Sequence, residues 1–294
     1  MFQKLIVPVD GSAASFAAVP VAARMAAAVA GTFEVITVVD GLADVALARD
    51  TLDRDLADLS TVATSIERHV LAGDSVAETI ARRVEQVPGA MVAMSSHGHG
   101  RSAAVFGSTC HAVLRELFGP VIVIGPHVDD SAGRLDGAYV VPLDGSKLAD
   151  TVLPIVAAWT TEFDGMPWVI EVGKDWPTYV GDVVDSSFVS SRALELRRKI
   201  DREVQFEVLH DGHAGRSITD FAREMDASLV FMTTHGRTGL ARLRCGSVAA
   251  EVIRHAHCPV VMFRPPQLHV GSEPAAPGSR TGSHFVGTMG PTGS

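Results

Sequence analysis

Two short polar segments have residue types that bind phosphates and metal ions, and each occurs twice in the chain. Asp10-Gly11-Ser12 returns as Asp144-Gly145-Ser146, and Ser96-His97-Gly98 returns as Thr234-His235-Gly236. Each segment follows a run of consecutive apolar residues, which is typical of a strand covered on both faces. In an open parallel sheet, ligands bind outside the carboxyl ends of the strands. These segments are therefore the predicted ligand-binding positions.

A glycine-rich stretch follows the second segment in each copy and ends at Gly107-Ser108 or at Gly246-Ser247. Glycines allow backbone N–H groups to approach an anion closely, and a helix that starts there directs its positive end toward the anion. Helices are predicted near Thr109–Phe118 and Val248–His257. Nearby arginines would supply counter-charge to phosphates: Arg101, Arg237 and Arg242. The alternative is that Gly-Ser only caps a helix, but its repetition favours an anion site.

Two other groups of residues have more than one interpretation. Asp10 and Asp144 either contribute to a ligand site or form Asx turns that lead into a helix, and the two roles are compatible. His255, His257 and Cys258 have the residue types of a metal site. The first copy, however, has leucine, glycine and proline at the corresponding places. We therefore predict no metal site of histidine or cysteine.

The chain is interpreted as a tandem duplication. Residues 5–12 and 139–146 agree at five of eight positions, with an offset of 134. Later matches keep their order, with offsets of 138 for the Ser/Thr-x-His-Gly segments and 139 for the Gly-Ser pairs. A conserved order with so little drift indicates two domains of one fold.

Each copy alternates short apolar runs with longer helical segments, which predicts a doubly wound α/β domain with a five-stranded parallel sheet. The predicted strands are 4–9, 33–39, 67–71, 90–95 and 121–125 in the first copy, and 138–143, 167–172, 204–209, 228–233 and 260–264 in the second. Helices of the first copy are predicted at 13–30, 42–65 and 76–86.

Domain boundaries follow from the same pattern. We predict domains at 1–127 and 138–264, a linker at 128–137 and a disordered tail at 265–294, because 18 of the 30 tail residues are Gly, Pro, Ser or Thr. The fifth strands are apolar, and an unprotected apolar edge favours pairing. The halves are therefore predicted to join through these strands, around a pseudo-twofold axis.

Composition restricts the class of protein. The 294 residues include 25 Lys and Arg against 34 Asp and Glu, and this net charge of −9 disfavours nucleic-acid binding. No apolar run approaches the roughly 20 residues that span a bilayer, and the first residues lack a secretory leader pattern. We therefore expect a cytoplasmic protein without nucleic-acid or membrane partners.

No catalytic residues are predicted. The phosphate loop Gly-x4-Gly-Lys-Ser/Thr and the Gly-x-Ser-x-Gly elbow of hydrolases are both absent from the sequence. Cys110 and Cys245 lie beside the glycine turns, where we interpret them first as packing residues and second as redox-sensing thiols.

These motifs resemble the nucleotide signature of the universal stress protein family, in its tandem-domain form. That signature is Gly-x2-Gly-x9-Gly-Ser/Thr, accompanied by an Asp at the end of the first strand. Gly236, nine intervening residues and Gly246-Ser247 match its second and third parts, whereas the first copy has a spacing of eight. Ser95 and Thr233 stand where the family has its first glycine. The resemblance covers residues 2–264.

The resemblance implies an adenine nucleotide, ATP with Mg²⁺, between strands one and four of each half, on a fold like that of adenine nucleotide alpha hydrolases. Asp10 and Asp144 would lie near the ribose or a phosphate-bound metal. The ends of the second strands would line the adenine. In the first half the implied nucleotide-binding residues are Pro8, Asp10, Gly11, Val38, Val39, His97, Gly98, Gly100, Arg101, Gly107, Ser108 and Thr109. In the second half they are Pro142, Asp144, Gly145, Val172, Gly173, His235, Gly236, Arg237, Gly239, Gly246, Ser247 and Val248.

Three functions are compatible with this resemblance. The first is a stress or dormancy protein that senses ATP, AMP or a cyclic nucleotide with little or no turnover. The second is a slow ATPase or nucleotidyl-transfer enzyme with Asp10 or Asp144 as a metal ligand. The third is a scaffold that binds no nucleotide. A homodimer and a regulatory protein partner are further expectations.

Overall fold

The computed structural model describes residues 2–57, 66–98, 107–129, 131–173, 186–210, 212–234 and 245–264. Several predicted site residues lie outside the described residues: Gly100, Arg101, His235, Gly236, Arg237 and Gly239. The predicted tail at 265–294 also lies outside them.

The first half alternates strands and helices as predicted. Its elements are β1 Lys4–Pro8, α1 Ala13–Phe16, α2 Ala18–Ala28, β2 Thr32–Val39, α3 Val45–Ala57, β3 Glu67–Ala72, α4 Val76–Gln86, β4 Ala90–Ser95, α5 Ser108–Glu116 and β5 Val121–Ile124. The predicted helix 13–30 is divided at Ala17 into α1 and α2. The predicted helix 42–65 begins instead as a 3₁₀ turn at Leu42–Asp44, because the Asp44 N–H donates to the carbonyl of Gly41 rather than to a residue one further back.

The second half repeats the same order. Its elements are β6 Gly137–Pro142, α6 Lys147–Asp150, α7 Leu153–Phe163, β7 Gly165–Gly173, α8 Ser187–Ile200, β8 Gln205–His210, α9 Ala214–Glu224, β9 Leu229–Thr233, α10 Ser247–His255 and β10 Val260–Phe263. Within the described residues, no helix is both long and apolar enough to cross a membrane.

All ten strands form one sheet, in the order β3-β2-β1-β4-β5-β10-β9-β6-β7-β8. Strands within each half are parallel, whereas β5 and β10 are antiparallel. At this junction Ile122 lies opposite Val261, and both side chains are fully buried. Pairing removes two apolar edges from water, so the prediction that the halves join through their fifth strands is confirmed.

Helices cover both faces of the sheet, which explains why its strands are apolar at consecutive positions. On one face an aromatic cluster of Phe2, Trp159 and Phe231 packs between the halves, with ring centroids 5.4–5.7 Å apart. On the other face α4, α5, α9 and α10 cover the remaining strand side chains. The sheet of each half is therefore packed between two layers of helices.

The connection between the halves is held against both of them. Arg24 of α2 donates from Nε to the carbonyl of Ala132 at 2.6 Å, and the Asp129 N–H donates to the carbonyl of His257 at 2.9 Å. Leu135 is buried, and its carbonyl accepts a hydrogen bond from the hydroxyl of Tyr139. The predicted polar linker is thus packed along much of its length.

Removal of residues 265–294 should leave stability and nucleotide binding unchanged. The deleted sequence lacks the apolar pattern needed to dock on the sheet. Thermal unfolding of chains ending at Arg264 and at Ser294 would compare them directly. A fall of several degrees in Tm on truncation would show that the prediction is wrong.

Candidate functional site

The order of strands creates a crevice in each half between β1 and β4, and again between β6 and β9. The chain leaves β1 toward β2 on one side and leaves β4 toward β5 on the other, so the connections diverge at this point of the sheet. Among the described residues, Asp10-Gly11-Ser12 and Ser96-His97-Gly98 lie on the two sides of the first crevice. Asp144-Gly145-Ser146 and Thr234 lie on the two sides of the second.

The turn after β1 is fixed by Asp10, Gly11 and Ser12. Gly11 has φ +83°, a left-handed conformation that favours glycine. Oδ1 of Asp10 accepts hydrogen bonds from the backbone N–H of Ser12 at 3.0 Å and from its hydroxyl at 2.5 Å. Ser12 caps α1 by accepting from the N–H of Ser15 at 3.1 Å. A Cβ placed on Gly98 would collide with Oδ2 of Asp10, so this second oxygen lies against the end of β4.

The second half repeats the turn. Gly145 has φ +80°, Oδ1 of Asp144 accepts from the N–H of Ser146 at 3.0 Å, and Ser146 caps α6 through the N–H of Ala149 at 3.1 Å. Both aspartates therefore form Asx turns. This structural role holds each carboxylate at the mouth of a crevice and leaves the ligand role open.

The starts of α5 and α10 face the same crevices. The cap residues are Gly107 and Gly246, whose N–H groups donate to the carbonyls of Ser96 at 2.7 Å and Thr234 at 2.9 Å. Since a glycine has no side chain, neither helix has a side-chain cap. The glycine of each Gly-Ser pair therefore caps its helix, in agreement with the alternative interpretation of the sequence, and the following serine is the first helical residue. The first N–H groups of each helix remain suited to an anion.

A cavity lies in each crevice. The first encloses roughly 170 Å³ and the second roughly 240 Å³. Described residues that line the first are Pro8, Val9, Asp10, Ser15, Val38, Val76, Met94, Ser95, Ser96, His97, Gly98, Gly107, Ser108, Thr109 and Cys110. Those that line the second are Pro142, Leu143, Asp144, Ala149, Val172, Ala214, Ile218, Met232, Thr233, Thr234, Gly246, Ser247, Val248 and Ala249.

Some predicted residues occupy other places. Gly11 and Val39 line an adjacent cavity of roughly 420 Å³, between the ends of β1 and β2 and helix α3. Val38 and Asp10 line both cavities of this half. Gly145 and Gly173 are not among the described residues that line the second cavity. Gly145 instead forms the turn, and Gly173 pairs with His210 at the end of β7.

Both halves of the chain match the model of the universal stress protein family, at residues 1–125 and 139–264. The chain belongs to the universal stress protein family. It is 32% identical over 141 residues to a universal stress protein of Methanocaldococcus jannaschii, which covers 44% of this chain and 82% of that relative. It is 43% identical over 151 residues to one from Synechocystis, which covers 44% of this chain and 97% of that relative.

Solved structures support the tandem fold. A universal stress protein from Archaeoglobus fulgidus has a TM-score of 0.61 and 22% identity, over 89% of this chain and 98% of that chain. A functionally unknown protein from Pseudomonas aeruginosa has a TM-score of 0.60 and 15% identity, over 91% and 94%. Both structures match across the two halves, so the fold of two α/β halves in one chain is shared.

In the first family domain, His97 lines the cavity and its imidazole is uncharged at neutral pH. Its Nδ1 lies 3.0 Å from the hydroxyl of Ser96, and its backbone N–H donates to the hydroxyl of Ser95 at 3.4 Å. Burial lowers the pKa of His97 below its ordinary value. At neutral pH the imidazole is therefore a hydrogen-bonding group and not a counter-ion for phosphate.

The cysteines are packing residues. Burial raises the pKa of Cys245 to about 12 and that of Cys110 still further. Cys110 is 1% exposed. Since the thiolate is the reactive form, the structure disfavours the redox role considered from the sequence.

A cluster of Glu34, Glu67 and His69 brings three metal-ligating groups together on β2 and β3. Lys4 Nζ lies 2.6 Å from Oε2 of Glu67 and 3.6 Å from Oε2 of Glu34. Arg83 donates to both carboxylate oxygens of Glu34, at 2.7 Å each. The place of a cation is thus taken by protein ammonium and guanidinium groups.

His255 and His257 form part of the joint with the linker. The ring of His255 stacks on His127, with centroids 6.1 Å apart and planes at 8°. Nδ1 of His257 is buried and, within the part of the chain that the structure describes, has no hydrogen-bond partner. Burial is the largest cause that lowers the pKa of His257, and the charge of Arg223 acts in the same direction.

Acid should destabilise the fold partly through His257. The unfolded chain binds a proton at the ordinary histidine pKa, whereas the folded chain binds it only at lower pH. Stability is therefore lost as pH falls through this window. His257→Gln should make the free energy of unfolding, measured in urea, less dependent on pH below neutrality. The exposed His255→Gln is the matched control, and an equal effect of both substitutions would contradict the prediction.

Sequence reasoning did not identify several lining residues: Ser15, Val76, Met94, Ala149, Ala214, Ile218 and Met232. Most are apolar and lie on helices or strand ends, where they look like ordinary core positions. The repeat offset is the sequence signal that could have identified them, because a residue that lines the cavity in one half predicts that its counterpart lines the cavity in the other half. Ser95 and Thr233, which depart from the family signature, both line the cavities.

Proposed function

We propose that this universal stress protein binds an adenine nucleotide in each half and acts as a nucleotide-dependent sensor with little or no turnover. The observation that supports this most is the repetition of one site. In both halves a cavity is formed by an aspartate turn, a strand-end hydroxyl and a helix start that has no side-chain cap.

The residues fit the chemical groups of the ligand. First-turn N–H groups of α5 and α10, with the hydroxyls of Ser108 and Ser247, would hold phosphate oxygens. The apolar side of each cavity, at Val38 and Met94 or at Val172 and Met232, would hold the base. When magnesium accompanies the nucleotide, it neutralises phosphate charge, and Asp10 and Asp144 would hold it.

The favoured role is binding rather than turnover. Among the described lining residues, the ionisable side chains are Asp10, Asp144, His97 and Cys110, and burial raises the pKa of the Cys110 thiol. Each aspartate already holds its own turn through Oδ1. A slow ATPase is the second candidate, favoured by the neutral imidazole of His97, which lines the same cavity as the carboxylate of Asp10. The proposal also includes a homodimer and a regulatory protein partner that recognises the nucleotide-bound protein.

One set of measurements tests the proposal. The purified protein is heat-denatured and any released nucleotide is identified by mass spectrometry, and the protein is then titrated with Mg-ATP by calorimetry. We expect two sites per chain and recovery of intact nucleotide. Steady phosphate release, lost in His97→Gln, would favour the ATPase. Absence of binding would overturn the proposal and favour a scaffold.

A further inference from the structure

We propose that the two nucleotide sites accept bases of different size and that positions 76 and 214 set this difference. The second half would accept an adenine enlarged by a fused ring, whereas the first half would exclude it. This inference rests on the proposed nucleotide function and adds the ligand selectivity of each half. The two cavities occupy equivalent places in the duplicated domains but differ in volume and in lining residues.

The two positions correspond by structure as well as by sequence. Val76 is the first residue of α4 and Ala214 the first residue of α9, and both side chains line the cavity of their half. The neighbouring strands have matching registers, since Ile6 lies opposite Glu34 and Val140 opposite Trp168. The exchange of valine for alanine is therefore a local change at one place in a repeated frame.

The consequence of this exchange is visible deeper in the site. Ile218 follows Ala214 by one helical turn and lines the second cavity. Its counterpart Ile80 is not among the described lining residues of the first cavity, although both isoleucines are buried, at 2% and 0% exposed. With alanine at the first residue of α9, the described lining of the second cavity includes the side chain one turn further along the helix. This agrees with its larger volume, about 240 Å³ against about 170 Å³.

A second exchange acts in the same direction. Cys110 in the first turn of α5 lines the first cavity, and Ala249 stands at the equivalent place in α10. The hydroxyl of Thr109 is likewise replaced by the side chain of Val248. The second cavity is therefore both wider and more apolar, which favours a larger aromatic base.

The location of the base follows from that of the phosphates. If the helix starts at Gly107 and Gly246 hold phosphate, the base must occupy the apolar side of the cavity. That side is formed by the end of β2 or β7 and by the start of α4 or α9. Val76 or Ala214 would then contact the edge of the base and act as a specificity-determining residue.

Reciprocal substitutions test the inference. Wild type, Val76→Ala, Ala214→Val and the double variant are titrated with ATP and with etheno-ATP, an ATP analogue whose base has an additional fused ring. Calorimetry counts the sites for each ligand. Pockets of this kind discriminate by about 10- to 200-fold per methylene, so a site that excludes the analogue is readily distinguished.

We expect wild type to bind ATP at two sites and etheno-ATP at one. Val76→Ala should add the second etheno-ATP site, and Ala214→Val should weaken etheno-ATP binding at the existing site at least about tenfold more than it weakens ATP binding there. The double variant should again bind the analogue once, now in the first half. Thermal unfolding of each variant verifies that it is folded.

Three results would count against the inference. Equal binding of etheno-ATP at both wild-type sites, or an equal loss of ATP and analogue in Ala214→Val, would overturn it while leaving the proposed function intact. Failure of wild type to bind ATP at all would overturn the proposed function and this inference together.

Discussion

Replacement of Gly246 by aspartate should abolish nucleotide binding in the second half and leave the first half unchanged. Gly246 caps α10 at the point where phosphate would meet the helix start. A carboxylate there would repel phosphate, and opposed like charges cost several kcal/mol, which corresponds to a loss in affinity of about 100-fold or more. Calorimetric titration should then count one site instead of two.

Gly246→Ala is the matched control. The nearest protein atom to a Cβ at this position is the Thr234 carbonyl oxygen at 3.5 Å, an ordinary contact, so the chain accepts the methyl group. At Gly107 the corresponding distance, to the Ser96 carbonyl oxygen, is 3.0 Å, and the neighbour must move. Gly107→Asp should remove the first site. If it removes all binding while Gly246→Asp changes nothing, only the first half binds nucleotide.

Replacement of Arg83 by methionine should lower the free energy of unfolding by about 3 kcal/mol, because it leaves a buried carboxylate without its principal partner. Glu34 is 0% exposed, and Arg83 donates to both of its carboxylate oxygens at 2.7 Å. Lys4 and His69 lie 3.6 Å from the same carboxylate and would replace part of the lost interaction. Urea unfolding at neutral pH measures the loss.

The double substitution Glu34→Gln with Arg83→Met should be less destabilising than Arg83→Met alone, since it removes both charges. The second half shows that the fold accepts uncharged residues here. Trp168 and Phe221 occupy the equivalent positions and pack with ring centroids 5.6 Å apart. Equal losses in the single and double variants would show that the buried charge is not the cause.

The frame of the molecule could be predicted because its signals are local. Consecutive apolar residues such as those at Ala90–Ser95 identify a strand covered on both faces, and the predicted bounds of β4 and α4 agree with the structure. Pairing of β5 with β10 followed from the same apolar pattern. These features depend on residues that are close in sequence and on the spacing of apolar residues within each helix or strand.

The rest depends on contacts between distant residues. Glu34 and Arg83 are separated by 49 positions, and no local pattern indicates that they pair. The cap at Gly107 forms only because its N–H returns to the carbonyl of Ser96 at the end of β4. Sequence reasoning left the Asx turn and the ligand role of Asp10 as alternatives, and only the three-dimensional turn shows that its Oδ1 is used locally.

The antiparallel junction of β5 and β10 sets the directions in which the two crevices open. Strands of the first half end at one edge of the sheet, and strands of the second half end at the opposite edge. The two crevices therefore open in opposite directions. α5 nevertheless extends from one edge to the other, where Arg264 donates to its Arg115 carbonyl. A protein that binds at the mouth of one crevice would contact the ligand of that half. The ligand in the other half would affect it through the shared helices and sheet.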